Sequence, residues 1–129
     1  MADLAALRQQ IADAANTAQP DPVVLPYIPD QIQTPVGMVE PDYVDWDEGG
    51  FARGAEHWYF LVRILLSLAG GNVEAQIARD EFLGGARDIK DAIQAAMPNS
   101  SVSSARKFDA WTYAETEYLG VEFTVLVIA

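Results

Sequence analysis

The sequence predicts an α+β domain in which an N-terminal helix and a helix pair pack on a mostly antiparallel sheet, and three observations lead there. Two long apolar runs, Glu56 to Leu68 and Leu119 to Ala129, alternate with a period of two. Three other segments, near residues 3–18, 73–83 and 86–97, repeat their apolar residues at helical spacing. Proline, glycine and short polar stretches separate these pieces in the order helix, two edge strands, long strand, helix pair, hairpin.

The first helix is capped by Asp3 and runs to about Ala18, with Leu4, Leu7, Ile11 and Ala14 or Ala15 on one stripe. The Asp3 carboxylate also suits the positive end of the helix dipole. Because the stripe is narrow and its residues small, this helix is expected to lie on the sheet. Gln19-Pro20-Asp21-Pro22 stops it, since proline cannot donate to the helical ladder and restricts the residue before it.

Pro22, Pro26, Pro29, Pro35 and Pro41 then leave two short apolar pieces, Val23-Val24-Leu25 and Val36-Gly37-Met38-Val39. Proline is confined to sheet edges, strand starts and bulges, so both pieces read as short, irregular edge strands. Asp42-Tyr43-Val44-Asp45-Trp46-Asp47-Glu48-Gly49-Gly50 reads as a loop with four carboxylates, Asp42, Asp45, Asp47 and Glu48, inside seven residues. An exposed acidic loop and a calcium or magnesium site compete for it, and the spacing lacks the ligand pattern of an EF-hand loop.

In the central run, Trp58, Phe60, Val62, Ile64 and Leu66 form one face and His57, Tyr59, Leu61, Arg63 and Leu65 the other. Its aromatic content and the Gly70-Gly71 break favour a strand over a helix. Asn72 is expected to cap a helix from about Val73 to Leu83 that buries Val73, Ile77, Ala78 and Phe82. Gly84-Gly85 interrupts, and a second helix from about Ala86 to Met97 presents Ile89, Ala92, Ile93 and Ala96 before Pro98-Asn99-Ser100-Ser101 ends it.

Ala105 to Tyr113 alternates loosely and leads through a polar loop, Ala114-Glu115-Thr116-Glu117, into the final strand, which makes a C-terminal hairpin. In that strand Val121, Phe123, Val125 and Val127 form an apolar face, while Glu122, Thr124, Leu126 and Ile128 form a second face that turns from polar to apolar. The apolar end of the second face requires a cover, which is either the chain's own first helix or a neighbouring subunit.

Residues 1–129 are expected to form one domain, with half of the residues hydrophobic and so enough material for a core. No apolar run is long enough to span a bilayer and the N-terminus lacks the basic-then-apolar character of a secretory signal, which predicts a soluble protein made inside the cell. The absence of cysteine removes disulfides, thiolate metal sites and a cysteine nucleophile.

Charge is uneven: of the net −11, residues 1–50 contribute −8, with nine acids against Arg8, and residues 51–129 contribute −3. Clustered cations for gripping phosphate are missing. A solvated acidic surface and a surface that repels a polyanion both fit this balance.

Catalysis has little to stand on. His57 is the single histidine and lies in a strand pattern, as a sheet-surface residue rather than a general base, and no nucleophile elbow, phosphate loop or dinucleotide motif is present. The sequence therefore predicts no catalytic residue, no cofactor and no metal, one imidazole being too few for a zinc or copper centre. Trp46, Phe51, Trp58, Tyr59 and Phe60 lack interleaved basic residues, so they read as core or subunit packing rather than as a base-stacking platform.

Three stretches carry a family resemblance that extends over nearly the whole chain. They are the charged residue with Trp58-Tyr59-Phe60-Leu61-Val62-Arg63, the C-terminal Gly120-Val121-Glu122-Phe123-Thr124-Val125, and Asp47-Glu48-Gly49-Gly50-Phe51-Ala52-Arg53-Gly54 before the central strand. In this the sequence resembles the tail terminator proteins of long-tailed, non-contractile bacteriophages. The resemblance implies a homo-oligomeric ring, typically a hexamer, that sits on the last ring of the tail tube, stops tube growth and joins the tail to the head-completion protein of the connector. DNA would pass through it without specific binding. In such a ring Asp42, Asp45, Asp47 and Glu48 are expected to line or approach the channel and repel phosphate, while Leu126 and Ile128, with the proline-broken edge strands, are candidates for the subunit seam. A neck or head-completion protein of the same particles, and an unrelated α+β binding module, are the alternatives.

Overall fold

The computed structural model describes residues 3–46, 56–68, 71–106, 110–113 and 115–128. Helix α1 (Leu4–Ala18) opens the chain, followed by strands β1 (Val23–Leu25), β2 (Val36–Asp45) and β3 (His57–Ser67), helices α2 (Asn72–Gly84) and α3 (Ala86–Ala96), and strands β4 (Ser100–Arg106), β5 (Ala110–Tyr113) and β6 (Thr116–Ile128). The strands form one sheet in the order β1-β2-β3-β6-β4. Strand β5 joins β6 on the same edge as β4: β4 pairs with residues 122–127 of β6 and β5 with 116–119. All pairs are antiparallel except β1 with β2. The α+β layout read from the sequence is the one found.

All three helices pack on one face. Ile11, Ala15, Phe82, Ile89 and Ile93 meet Val39, Phe60, Val62, Ile64, Val121, Phe123, Val125 and Val127 in the main core. Each large side chain buried there is worth about 1.5–3 kcal/mol in removal from water. The alanines of α1, with Ala12, Ala14 and Ala15 buried, let that helix approach closely, and Asp3 caps it by accepting from the Ala6 N–H at 3.1 Å. Polar stitches hold α1 in place. The Asn16 amide donates to Val24 O and accepts from Val24 N–H, doing for β1 what a neighbouring strand would do, and Arg8 Nη1 donates to the carbonyls of Pro26 and Val39.

Several local expectations are corrected. Strand β2 continues through Pro41 to Asp45, so the supposed acidic loop begins as a strand; the register shifts between Pro41 and Tyr43, a bulge that accommodates the missing N–H. Asn72 is the first residue of α2 rather than its cap, which is Gly71 at φ 102, a conformation that side chains disfavour. Of the four residues the spacing turns inward on α2, Phe82 is buried, joined by Ala75, while Val73 is 70% exposed and Ile77 and Ala78 are exposed as well. Ser100–Arg106 is strand β4, where the sequence predicts a helix terminator at Ser100-Ser101 and a strand only from Ala105. Its Ser100 hydroxyl donates to Met97 O, and Gln94 Oε1 accepts from Val102 N–H. The C-terminal hairpin is tighter than expected, since Tyr113 already pairs with Thr116, and Glu115 takes the left-handed conformation at φ 67.

Candidate assembly surfaces

Because side chains alternate along a strand, the residues that do not meet the helices share the opposite face. The pairing aligns them in rows across the sheet: Val36, Leu65 and Gly120; Met38, Arg63 and Glu122; Glu40, Leu61 and Thr124; Tyr43, Tyr59 and Leu126; Asp45, His57 and Ile128. The first rows are covered by the chain itself. Val36, Met38 and Leu65 form a second small core with Leu25, Ile32, Trp111, Tyr113 and Tyr118, so the β5–β6 hairpin and the loop before β2 fold over this end. Trp111 sits on Gly120 so closely that a Cβ there would collide with the indole and with Ile64 O.

Arg63 is the hub of the covered end. Its Nε donates to Glu122 Oε2 at 3.0 Å, and its Nη1 donates to the Tyr113 hydroxyl at 3.0 Å and to Glu40 Oε1, while Trp111 lies beneath the guanidinium at 5.9 Å. Glu122 is 1% exposed, the one charged residue in the buried set among the described residues. Burial alone would lower the Arg63 pKa. The Glu122 hydrogen bond, then the charge of Glu40 and the Tyr113 oxygen, outweigh it and hold the group above the ordinary arginine value. A guanidinium engaged on so many sides joins β2, β3, β5 and β6; its chemistry is that of a clamp. Sequence reading misses this cluster, although an arginine and a glutamate inside two apolar strands are the available signal.

The far end of the same face is different. Tyr43 stacks on Tyr59 with ring centroids 4.3 Å apart and remains 51% exposed. Leu126 is half-buried in that row and Ile128 in the next is 41% exposed. The helices lie against Val121, Phe123, Val125 and Val127, so α1 does not cover Leu126, and that alternative from the sequence is set aside. In the row between the two ends the Thr124 hydroxyl is buried without a hydrogen-bond partner among the described residues.

Of the four carboxylates assigned to a loop, Asp42 and Asp45 hang from β2 beside this open patch, Asp42 exposed and Asp45 half-buried in the row of Ile128. Asp47 and Glu48 lie outside the described residues. Trp46 follows, 67% exposed, its indole N–H donating to Glu56 Oε2 at 2.7 Å, with the Trp58 indole nitrogen 3.5 Å from the other oxygen of the same carboxylate. Glu56 thus ties the end of β2 to the start of β3 and fixes how Trp46 is displayed. His57 is a half-buried strand residue, as expected. The structure therefore brings Asp45, Leu126 and Ile128 to one end of one sheet face, with Asp42 exposed at the bulge beside Tyr43. Among the described residues no group of three His, Cys, Asp or Glu side chains stands close enough to hold a metal ion. No helix among them is long and apolar enough to cross a membrane. No protein-family model matches this chain, and no curated protein matches it in sequence.

Proposed function

We propose that this protein is a non-enzymatic virion subunit, a tail terminator that forms a ring, a hexamer as in the family it resembles, on the end of a phage tail tube. In this reading it ends tube polymerisation, docks the tail to the head-completion protein of the connector at the head–tail junction, and is made in the host cytoplasm before assembly. One observation supports the reading beyond the sequence resemblance. Half of the helix-free sheet face is left apolar and aromatic, with Tyr43, Leu126 and Ile128 reaching solvent beside Asp42 and Asp45. An apolar patch next to a carboxylate run suits a subunit contact that opens onto a channel, where the acidic run approaches passing DNA and repels its phosphates over about 8 Å at physiological salt.

The test is the mass of the purified protein by light scattering, alone and after mixing with tail tube protein. A closed ring, alone or on the tube, is expected, and Leu126→Asp or Ile128→Asp should lower that mass. Co-purification with headless tails is the expected partner result, whereas attachment to filled heads lacking tails would reassign the protein to the neck. A monomer that ignores tube protein would sink both positions in the particle.

A further inference from the structure

A ring built from one kind of chain needs two different surfaces that fit each other, because a head-to-tail contact joins unlike patches. The β2 end supplies one of them. The other lies at the opposite edge of the sheet, in a cleft of about 410 Å³ between α3 and β4. Its floor is apolar, made by Ala86, Val102 and Phe123, and Arg87 and Lys90 stand at its rim beside Ser104. Among the described residues Arg87 pairs with Asp91, at 4.0 Å, and both of those side chains are largely exposed. The cleft stands out in a chain of net charge −11, since Arg87 and Lys90 are two of its eight basic residues.

We infer that this cleft takes the Asp42–Trp46 end of β2 from a second copy of the chain. The two patches complement each other in kind. One offers an apolar floor with cations at the rim, the other two exposed aromatic side chains, Tyr43 and Trp46, flanked by carboxylates. Aromatic residues of this kind bring the largest apolar area to an interface, and Trp46 already has its N–H satisfied by Glu56, so burying its ring leaves no donor unmet. A chain cannot fill its own cleft, because β3 and β6 stand between β2 and β4, about 14 Å at the usual strand spacing. Along the outer edge of β2, beyond Val39, whose carbonyl accepts from Arg8, no strand among the described residues is paired, and Asp42 and Tyr43 are exposed there. The inference deepens the ring reading and rests on it for closure: it makes the seam run from β2 of one copy to α3 and β4 of the next, with Asp42 and Asp45 approaching the channel from within that seam.

A charge-swap pair tests it. Asp42→Lys sets an ammonium group against the cationic rim and Lys90→Glu sets a carboxylate against the acidic strand end, so each variant alone should associate about a hundredfold more weakly by sedimentation or light scattering. Mixed in equal amounts, the two variants should recover the wild-type mass, since each strand end then finds a cleft of opposite sign, and added salt should weaken wild-type association. Trp46→Ala, which keeps every charge, should weaken association in its own right. Circular dichroism melting of each variant serves as the control for folding. If Asp42→Lys and Lys90→Glu each assemble like wild type, or their mixture stays as weak as either alone, this seam is wrong while a ring remains standing. Wild type that stays monomeric alone at every concentration also overturns the seam, and the ring reading falls with it only if tube protein fails to assemble the chain.

Discussion

Toward the β5–β6 hairpin the helix-free face of the sheet is closed by the chain itself, with Trp111, Tyr113 and Tyr118 over Val36, Met38 and Leu65 and the Arg63 hub at the boundary. Toward the other end the same strands, with the same alternation, carry Tyr43, Tyr59, Leu126 and Ile128 outside the cover of helices or hairpin. The two halves teach that strand periodicity fixes which residues share a face but not whether that face is interior. What decides is where the chain returns. Thirteen residues make β6 long enough to pair with β4 along one part and with β5 along another, and only the β5 part brings aromatic side chains over the sheet.

The comparison breaks first at Arg63. Arg63→Met would leave Glu122, 1% exposed, as a buried carboxylate without its main cation, a change that typically costs about 3–5 kcal/mol. Urea unfolding should register a loss of that size. The double variant Arg63→Met/Glu122→Met should recover a large part of it, because what destabilises is the stranded charge rather than the missing pair. A single-variant loss below about 1 kcal/mol would mean that the cluster does not hold the covered half together.

Gly120→Ala probes the same half with a smaller lever. The added methyl has no room between Ile64 O and the Trp111 ring, so either the indole moves off the sheet or the strands separate locally. Overpacking of this kind costs about 1–3 kcal/mol. The measured quantity is the shift in unfolding midpoint, read together with tryptophan fluorescence. An unchanged midpoint and spectrum would show that Trp111 does not rest where the closed half requires it.

How much of this is legible in the sequence depends on whether the deciding interaction is local. The Asp3 cap and the period-two alternation of β3 and β6 are set by neighbouring residues and appear as read, and in α3 Ile89 and Ile93 are buried as their spacing requires while Ala92 is half-buried and Ala96 exposed. Strand β4 is different, because serines at 100, 101, 103 and 104 have no strong preference for a strand. Its extended form comes from the edge of β6 and from Gln94, neither of them adjacent in sequence. Val73, Ile77, Ala78 and Phe82 repeat at helical spacing, yet of these α2 buries only Phe82, with Ala75 beside it, and spacing alone cannot say which side faces a partner that the sequence does not display. The Arg63–Glu122 pair needs the register of β3 against β6, in which the two residues lie directly opposite. Leu126 and Ile128 read as wanting a cover; the structure removes α1 as the cover of Leu126, while Ile128, 41% exposed, borders a cleft that Leu7 and Gln10 of α1 also line.

The smallest expected effect lies in the open half. Ile128 is 41% exposed near the end of β6, and its N–H donates to Asn99 O, a backbone contact that a new side chain leaves in place. In the isolated chain Ile128→Asp therefore gives up only partial burial and sets a carboxylate where water already reaches, which should cost about 1 kcal/mol or less in urea unfolding under monomeric conditions. A position buried within the subunit would behave like Arg63 and lose several times as much. If Ile128→Asp proves as damaging to the monomer as Arg63→Met, this end of the sheet is part of the fold's own interior and cannot serve as a seam. If it leaves the monomer intact but lowers the mass of the assembly, Ile128 contributes its apolar surface to a neighbouring chain. The contrast between these two variants separates a face that the chain closes from one that another molecule must close.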